Sequence, residues 1–385
     1  MRRFPHLTFA LLLVFLSGCS LTHRTPFSVD DEARADVPGM AGVRVFEDAP
    51  AAAFRPAVSS ERVFNYLALS GGGGNGAYGA GVLNGWTASG KRPDFAIVSG
   101  VSTGALIAPF AFLGSRYDPV LKDVYTGGYA ARLLEAPNFF NLVFGSSLYG
   151  NRRLRAMVAH FVDKAMLADI AREYAKGRLL IVVTTNLDTQ RAVIWDMGAI
   201  AASGSPNALQ TFRDVLVASA SIPLVFSPTL IDVEANGRRF QEMHVDGAII
   251  TPVFTLPEDY LLRNAKAQIA RGSRLDLYVL LNAKIGPDFK VVDNSAITIA
   301  SRTVSTFVHT EIRDTVFDTY QFARRSGMGF NISYIDKDIT EPEGAGFDTA
   351  YMRSLYEYGY AKARSGAFWD KSPPAEPAPV TTALK

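Results

Sequence analysis

Three short turns in this chain hold residues able to do chemistry together. The first is Gly71-Gly72-Gly73-Gly74-Asn75-Gly76, which follows the strand-like run Val63–Ser70 and precedes a helical pattern from Ala77 to Ser89. Glycines there let backbone N–H groups face an anion, helped by the positive end of the helix dipole. The anion is either a phosphate or a transient oxyanion. Gly71, Gly73 and Gly76 satisfy G-x-G-x-x-G, but the acid that would hold a ribose is missing from the end of the second strand. A P-loop is excluded, because no Lys-Ser/Thr pair follows the glycines. The second turn is Ser99-Gly100-Val101-Ser102-Thr103-Gly104, between a short apolar strand, Phe95–Val98, and a helix, Thr103–Gly114. This is G-x-S-x-G in a strand–turn–helix setting, with Gly100 and Gly104 permitting a tight turn that exposes Ser102 as a nucleophile or, alternatively, a helix cap. The third is His244-Val245-Asp246-Gly247-Ala248 at the end of the strand Phe240–Val245. It places Asp246 at the sheet rim where α/β active sites gather, unless the aspartate merely closes an Asx-turn.

A serine needs a base. Of the five histidines, His160 and His309 fall inside amphipathic helical patterns and His23 lies near the N-terminus. His244 is the one near a strand end. An esterase with a Ser-Asp-His triad through His244 therefore stands as an alternative to activation by Asp246 alone. One Cys with five His leaves little for a zinc site, and no metal or other cofactor is expected. Asp336-Lys337-Asp338-Ile339-Thr340-Glu341 fails EF-hand spacing and reads as a solvated turn. Phe139-Phe140-Asn141-Leu142-Val143-Phe144, with Tyr149, reads as core or as an apolar lip for acyl chains.

Taken in order, the three turns resemble the patatin-like phospholipase family, with Ser219-Ala220-Ser221-Ile222-Pro223 and Phe226-Ser227-Pro228 shortly before the aspartate. The resemblance spans roughly Tyr66 to Pro252. It implies an α/β/α sandwich and a serine acyl hydrolase of phospholipase A type that releases fatty acid from glycerolipids. It also implies a Ser102–Asp246 dyad without histidine and an oxyanion loop at Gly71, Gly72, Gly73, Gly74 and Gly76, with Gly247 and Ala248 completing the acid motif. One position departs from the family: Asn75 stands where Arg or Lys is usual.

The elements that must hold these turns read as α/β. Later strands are expected at Leu179–Thr185, Ala192–Asp196, Leu275–Leu281 and Gly329–Tyr334. Helices are expected at Asn151–Asp163, Ala208–Ala220, Glu258–Arg271, Ala296–Arg325 and Thr349–Ala363. That alternation implies a mostly parallel central sheet with helices on both faces. The N-terminus reads as a secretory signal over residues 1–18, with Arg2-Arg3, the apolar run Phe9–Leu16, and Leu16-Ser17-Gly18-Cys19, which resembles a bacterial lipobox. Cys19 is then the lipidation site, with Ser20 after it favouring the outer membrane of the cell envelope. Residues 19–60 read as a tether, 61–370 as the catalytic domain with its motifs in 66–252 and an extension over 253–370, and 371–385 as a loose tail.

With 39 Lys+Arg, 37 Asp+Glu and a net charge of +2, removal of Arg2 and Arg3 with the signal balances the two signs. There is no field to draw in nucleic acid. Membrane lipids are the expected partners, as substrate and as anchor. A non-catalytic envelope lipoprotein binding lipid or a protein partner is the alternative from outside enzymology.

Overall fold

A computed structural model describes residues 24–57, 63–129, 151–270, 272–286, 289, 291–339 and 347–374. The helices are α1 (Val29–Ala33), α2 (Gly76–Ala88), α3 (Thr103–Leu113), α4 (Asp118–Thr126), α5 (Arg152–Phe161), α6 (Lys164–Ala175), α7 (Met197–Ala202), α8 (Ala208–Ser219), α9 (Glu258–Ala270), α10 (Ala296–Arg325) and α11 (Thr349–Arg364). The strands are β1 (Arg44–Phe46), β2 (Val63–Leu69), β3 (Ile97–Val101), β4 (Leu179–Asn186), β5 (Arg191–Asp196), β6 (Thr229–Ala235), β7 (Arg238–Asp246), β8 (Arg274–Leu280) and β9 (Gly329–Ser333).

Seven strands run in the order β1-β5-β4-β3-β2-β8-β9, and the β6–β7 hairpin joins through β7 to β4. From β4 to β9 the pairing is parallel, while β1, β5 and the hairpin pair antiparallel. A parallel block buried on both faces needs apolar residues of both parities, and these strands supply them. In β2, Leu67 and Leu69 enter one core, with Tyr78, Leu83, Phe212 and Leu355. Phe64, Tyr66 and Ala68 enter the other, with Tyr260, Leu261, Ile312 and Val316. Strands β8 and β9 show that residues 253–370 complete the sheet.

The tether reading of residues 19–60 does not hold for the part that is described. Strand β1 pairs with β5 from Arg44↔Trp195 to Phe46↔Val193, and Phe27 stacks on Phe240 with centroids 4.4 Å apart. Arg44 forms a buried two-pronged ion pair with Glu242, and Arg24 pairs with Asp188 at 2.7 Å. A three-residue strand held by side-chain ion pairs has no periodicity to betray it. Residues 1–23, with Cys19, lie outside the described residues, as do Phe139–Phe144, Tyr149, the end of the 336–341 turn and the tail beyond 374.

Candidate active site

Strand register brings the site together. Strand β3 runs beside β4 until Val101, opposite Val183, and stops there. On the same side of β4, β7 takes over in the opposite direction, with Asp246 opposite Thr184. Ser102 is the next residue after Val101, so the two termini meet head-on. Ser102 Oγ donates to Asp246 Oδ2 at 2.6 Å, and Asp246 Oδ1 accepts from the Ala248 N–H at 2.8 Å. Both residues are buried, with 3% and 2% of their surface exposed.

The turn is strained as such an elbow requires. Ser102 has φ 56° and ψ −125°, a conformation that costs an L-residue about 1–3 kcal/mol and persists only where neighbours over-determine it. A side chain at Gly104 would run into the carbonyls of Leu69 and Ser70, so glycine lets the nucleophile helix close against β2. The Ser219-Ala220-Ser221 segment braces both partners. Ser219 Oγ accepts from the Ser102 N–H at 3.0 Å and donates to the Val183 carbonyl at 2.6 Å, while the Asp246 N–H donates to the Ser221 carbonyl at 3.0 Å.

Burial dominates the electrostatics of Asp246. It pushes the carboxyl up to about 7, against the opposing hydrogen bonds from Ser102 and the Ala248 N–H. A carboxylate poised there is half ionised at neutral pH and far more basic than an exposed aspartate.

The glycine loop divides into donors and scaffold. The Gly71 N–H donates to the Pro252 carbonyl at 2.9 Å, and the Gly76 N–H caps back on Gly73 and Gly74. Those two amides are therefore consumed by the backbone and cannot hold an oxyanion, contrary to the expectation for the whole loop. Gly72, Gly73 and Gly74 donate to no other described group. Gly72 has φ 153°, and a Cβ there would strike the Asn282 carbonyl.

Asn282, after β8, is the functional residue that motif reading missed. Its Nδ2 donates to the Ser70 carbonyl at 2.8 Å, its N–H to Ser70 Oγ at 2.8 Å, and its Oδ1 accepts from the Gly79 N–H at 3.1 Å. One buried amide thus pins the glycine loop at both ends, from 212 residues away in sequence to Ser70. A lone Asn after an apolar strand carries no signal in sequence. Asn75 Oδ1 accepts from the Tyr351 hydroxyl at 2.8 Å, so this position ties the loop to α11.

His244 is turned to other partners. Its Nε2 bonds Glu242 at 2.9 Å and its Nδ1 bonds Thr184 Oγ1 at 2.9 Å. Burial lowers its pKa, and both ring nitrogens are engaged away from the Ser102–Asp246 contact. Beside Ser102 lies an apolar cavity of about 30 Å³, lined by Gly73, Thr103, Leu106, Val124, Tyr125, Leu154, Met157, Ala220, Ile222, Phe226 and Phe347.

Residues 67–257 match the family model for patatin-like phospholipases. This stretch belongs to the patatin-like phospholipases. Membership brings lipid acyl hydrolysis as the general activity, and the mixed, centrally parallel sheet with helices on both faces is the patatin-like α/β/α fold. Among solved structures, the crystal structure of VipD from Legionella pneumophila is similar at 13% identity, over 80% of this chain and 68% of that one, with a TM-score of 0.33. No curated protein matches the chain. The patatin match ends at residue 257, so Asn282, β8, β9 and α10 all lie beyond it.

Proposed function

We propose that this protein hydrolyses the ester bonds of membrane glycerolipids, in the manner of a phospholipase A, with Ser102 as nucleophile and Asp246 as its general base. The observation that carries this reading is the direct 2.6 Å hydrogen bond between Ser102 Oγ and Asp246 Oδ2 beside an apolar cavity. Ser102 Oγ attacks the ester carbonyl carbon as its proton passes to Asp246. The oxyanion of the tetrahedral intermediate takes hydrogen bonds from the Gly72 and Gly73 amides, which need no reorganisation to receive it. Asp246 returns the proton to the departing glyceryl oxygen, leaving an acyl ester on Ser102. Water then attacks that ester, giving its proton to Asp246, and the collapse releases a fatty acid and restores the serine. The cavity's apolar lining suits an acyl chain.

The N-terminal Leu16-Ser17-Gly18-Cys19 supports a further part of this reading, in which acylated Cys19 holds the enzyme on the outer membrane of the envelope. Two or three chains on one residue anchor durably where one chain binds only marginally. Tethering raises the effective concentration of lipid substrate without any new contact.

The test is mass spectrometry of lipid products from phospholipid vesicles treated with wild type, Ser102→Ala and Asp246→Asn side by side. Wild type should release free fatty acid and lysolipid, and each variant should lose about 10³-fold or more of that rate. Unchanged products from Ser102→Ala would end the reading.

A further inference from the structure

Helix α10 is far longer than its packing requires. Its 30 residues rise about 45 Å at 1.5 Å per residue. The strand it leads into, β9, has five residues and spans roughly 17 Å. Its buried side chains, Ile312, Val316, Thr319, Phe322 and Ala323, all lie after residue 310, and no described side chain from 296 to 310 is buried. Strand β8 ends on the rim that carries Ser102 and Gly72, and β9 starts at the opposite end of the sheet, parallel to β8. The first half of α10 therefore stands on the rim side, projecting past the site, while the helix packs against the turn Gly247–Ile249 that follows Asp246.

That projecting half has an unusual surface. Phe307 is 72% exposed and Ile299 49%, and in the segment leading to the helix Phe289 is 92% and Val291 79% exposed. Residues 294–310 contain Arg302 and His309 and no Asp or Glu. A water-facing helix of this length ordinarily carries charges of both signs. Apolar tips among Ser and Thr, with one cation and no acid to repel anionic headgroups, are the chemistry of a helix at a lipid interface.

We propose that Phe289, Val291 and the first half of α10 dock on a phospholipid bilayer, with Ile299 and Phe307 entering the headgroup–acyl boundary and the rim bearing Ser102 held towards the lipid. A bilayer is favoured over a second copy of the chain because the patch shares the rim with the catalytic site and its helical part, residues 296–310, carries Arg302 and no acid, Asp293 lying before the helix. The inference rests on the reading of the site as a lipid hydrolase.

Single variants Ile299→Trp, Phe307→Trp and, at the other end of the sheet, Arg274→Trp are made in the full chain and mixed with phosphatidylcholine–phosphatidylglycerol vesicles containing brominated acyl chains. The first two should be quenched beyond the parent protein's own signal, and Arg274→Trp should not. In parallel, the double variant Ile299→Ser with Phe307→Ser should lose about tenfold or more in kcat/KM on the same vesicles without bromine, yet stay within about twofold on a monomeric short-chain ester. Absence of quenching, or an equal loss on both substrates, would overturn the proposal. So would a change in oligomeric state of the double variant with vesicle hydrolysis intact, which would make a second copy the occupant. If Ile299→Trp and Phe307→Trp are quenched as expected but wild type hydrolyses neither ester, the docking stands and the hydrolase reading falls.

Discussion

Asp246 is asked to be buried and charged at once, and that conflict has a measurable signature. Burial raises its pKa to about 7 in the folded chain, against an unfolded value of 3.8. The neutral acid is therefore the form that folding favours. Its contribution to stability is full below pH 3.8 and is lost as pH rises through 7. Asp246→Asn removes the titration, so at pH 8 this variant should be more stable than wild type by about 1–3 kcal/mol, with the gap closing towards pH 4. Denaturant unfolding at the two pH values checks this, and a variant less stable than wild type at pH 8 would refute it. A residue kept at such a cost to stability fits a catalytic role. The residues themselves were legible in sequence, since G-x-S-x-G and Asp-Gly sit where strands end. Their direct contact was not, because it depends on β3 stopping one residue short of where β7 begins along β4.

Among the elements, the glycine loop depends on a strand beyond the family-matched region. Asn282→Ala would leave the Ser70 carbonyl and the Gly79 N–H without their buried partner. Each such group costs about 1–3 kcal/mol, so stability should fall by about 2–4 kcal/mol. Loosening the loop should also lower kcat by about 10²-fold with KM nearly unchanged, since the oxyanion forms only after substrate is bound. Steady-state kinetics on a soluble ester separates this from a merely structural role, which would lower the amount of folded enzyme but leave its kcat intact. Helix α2 is held by the same economy of space. Side chains at Gly81 and Gly85 would meet the carbonyls of Tyr356 and Tyr360 in α11, so the helix that follows the loop lies backbone to backbone on the last helix of the chain. Most long elements were readable from periodicity, and α10 matches its expected bounds. The missed ones, α1, α4, α6, α7, β1 and β6, are either short or mix charge into their pattern, and their place is fixed by tertiary partners rather than by local signal.

At the scale of the molecule, the parallel block, the antiparallel hairpin and the N-terminal arm converge on one rim. The arm is clasped through a buried polar group. Burial would raise the Glu242 carboxyl, but hydrogen bonds from His244 and the charge of Arg44 hold it below the usual range. His244 is thereby spent on structure, and among the described residues the proposed base, Asp246, is the titratable group hydrogen-bonded to the Ser102 hydroxyl. The rate of fluorophosphonate adduct formation, followed against pH with the adduct located by peptide mass spectrometry, tests that claim most directly. A single adduct is expected, on Ser102, forming about tenfold more slowly for each pH unit below about 7. An adduct on another residue, or a rate that stays flat down to pH 4, would contradict it.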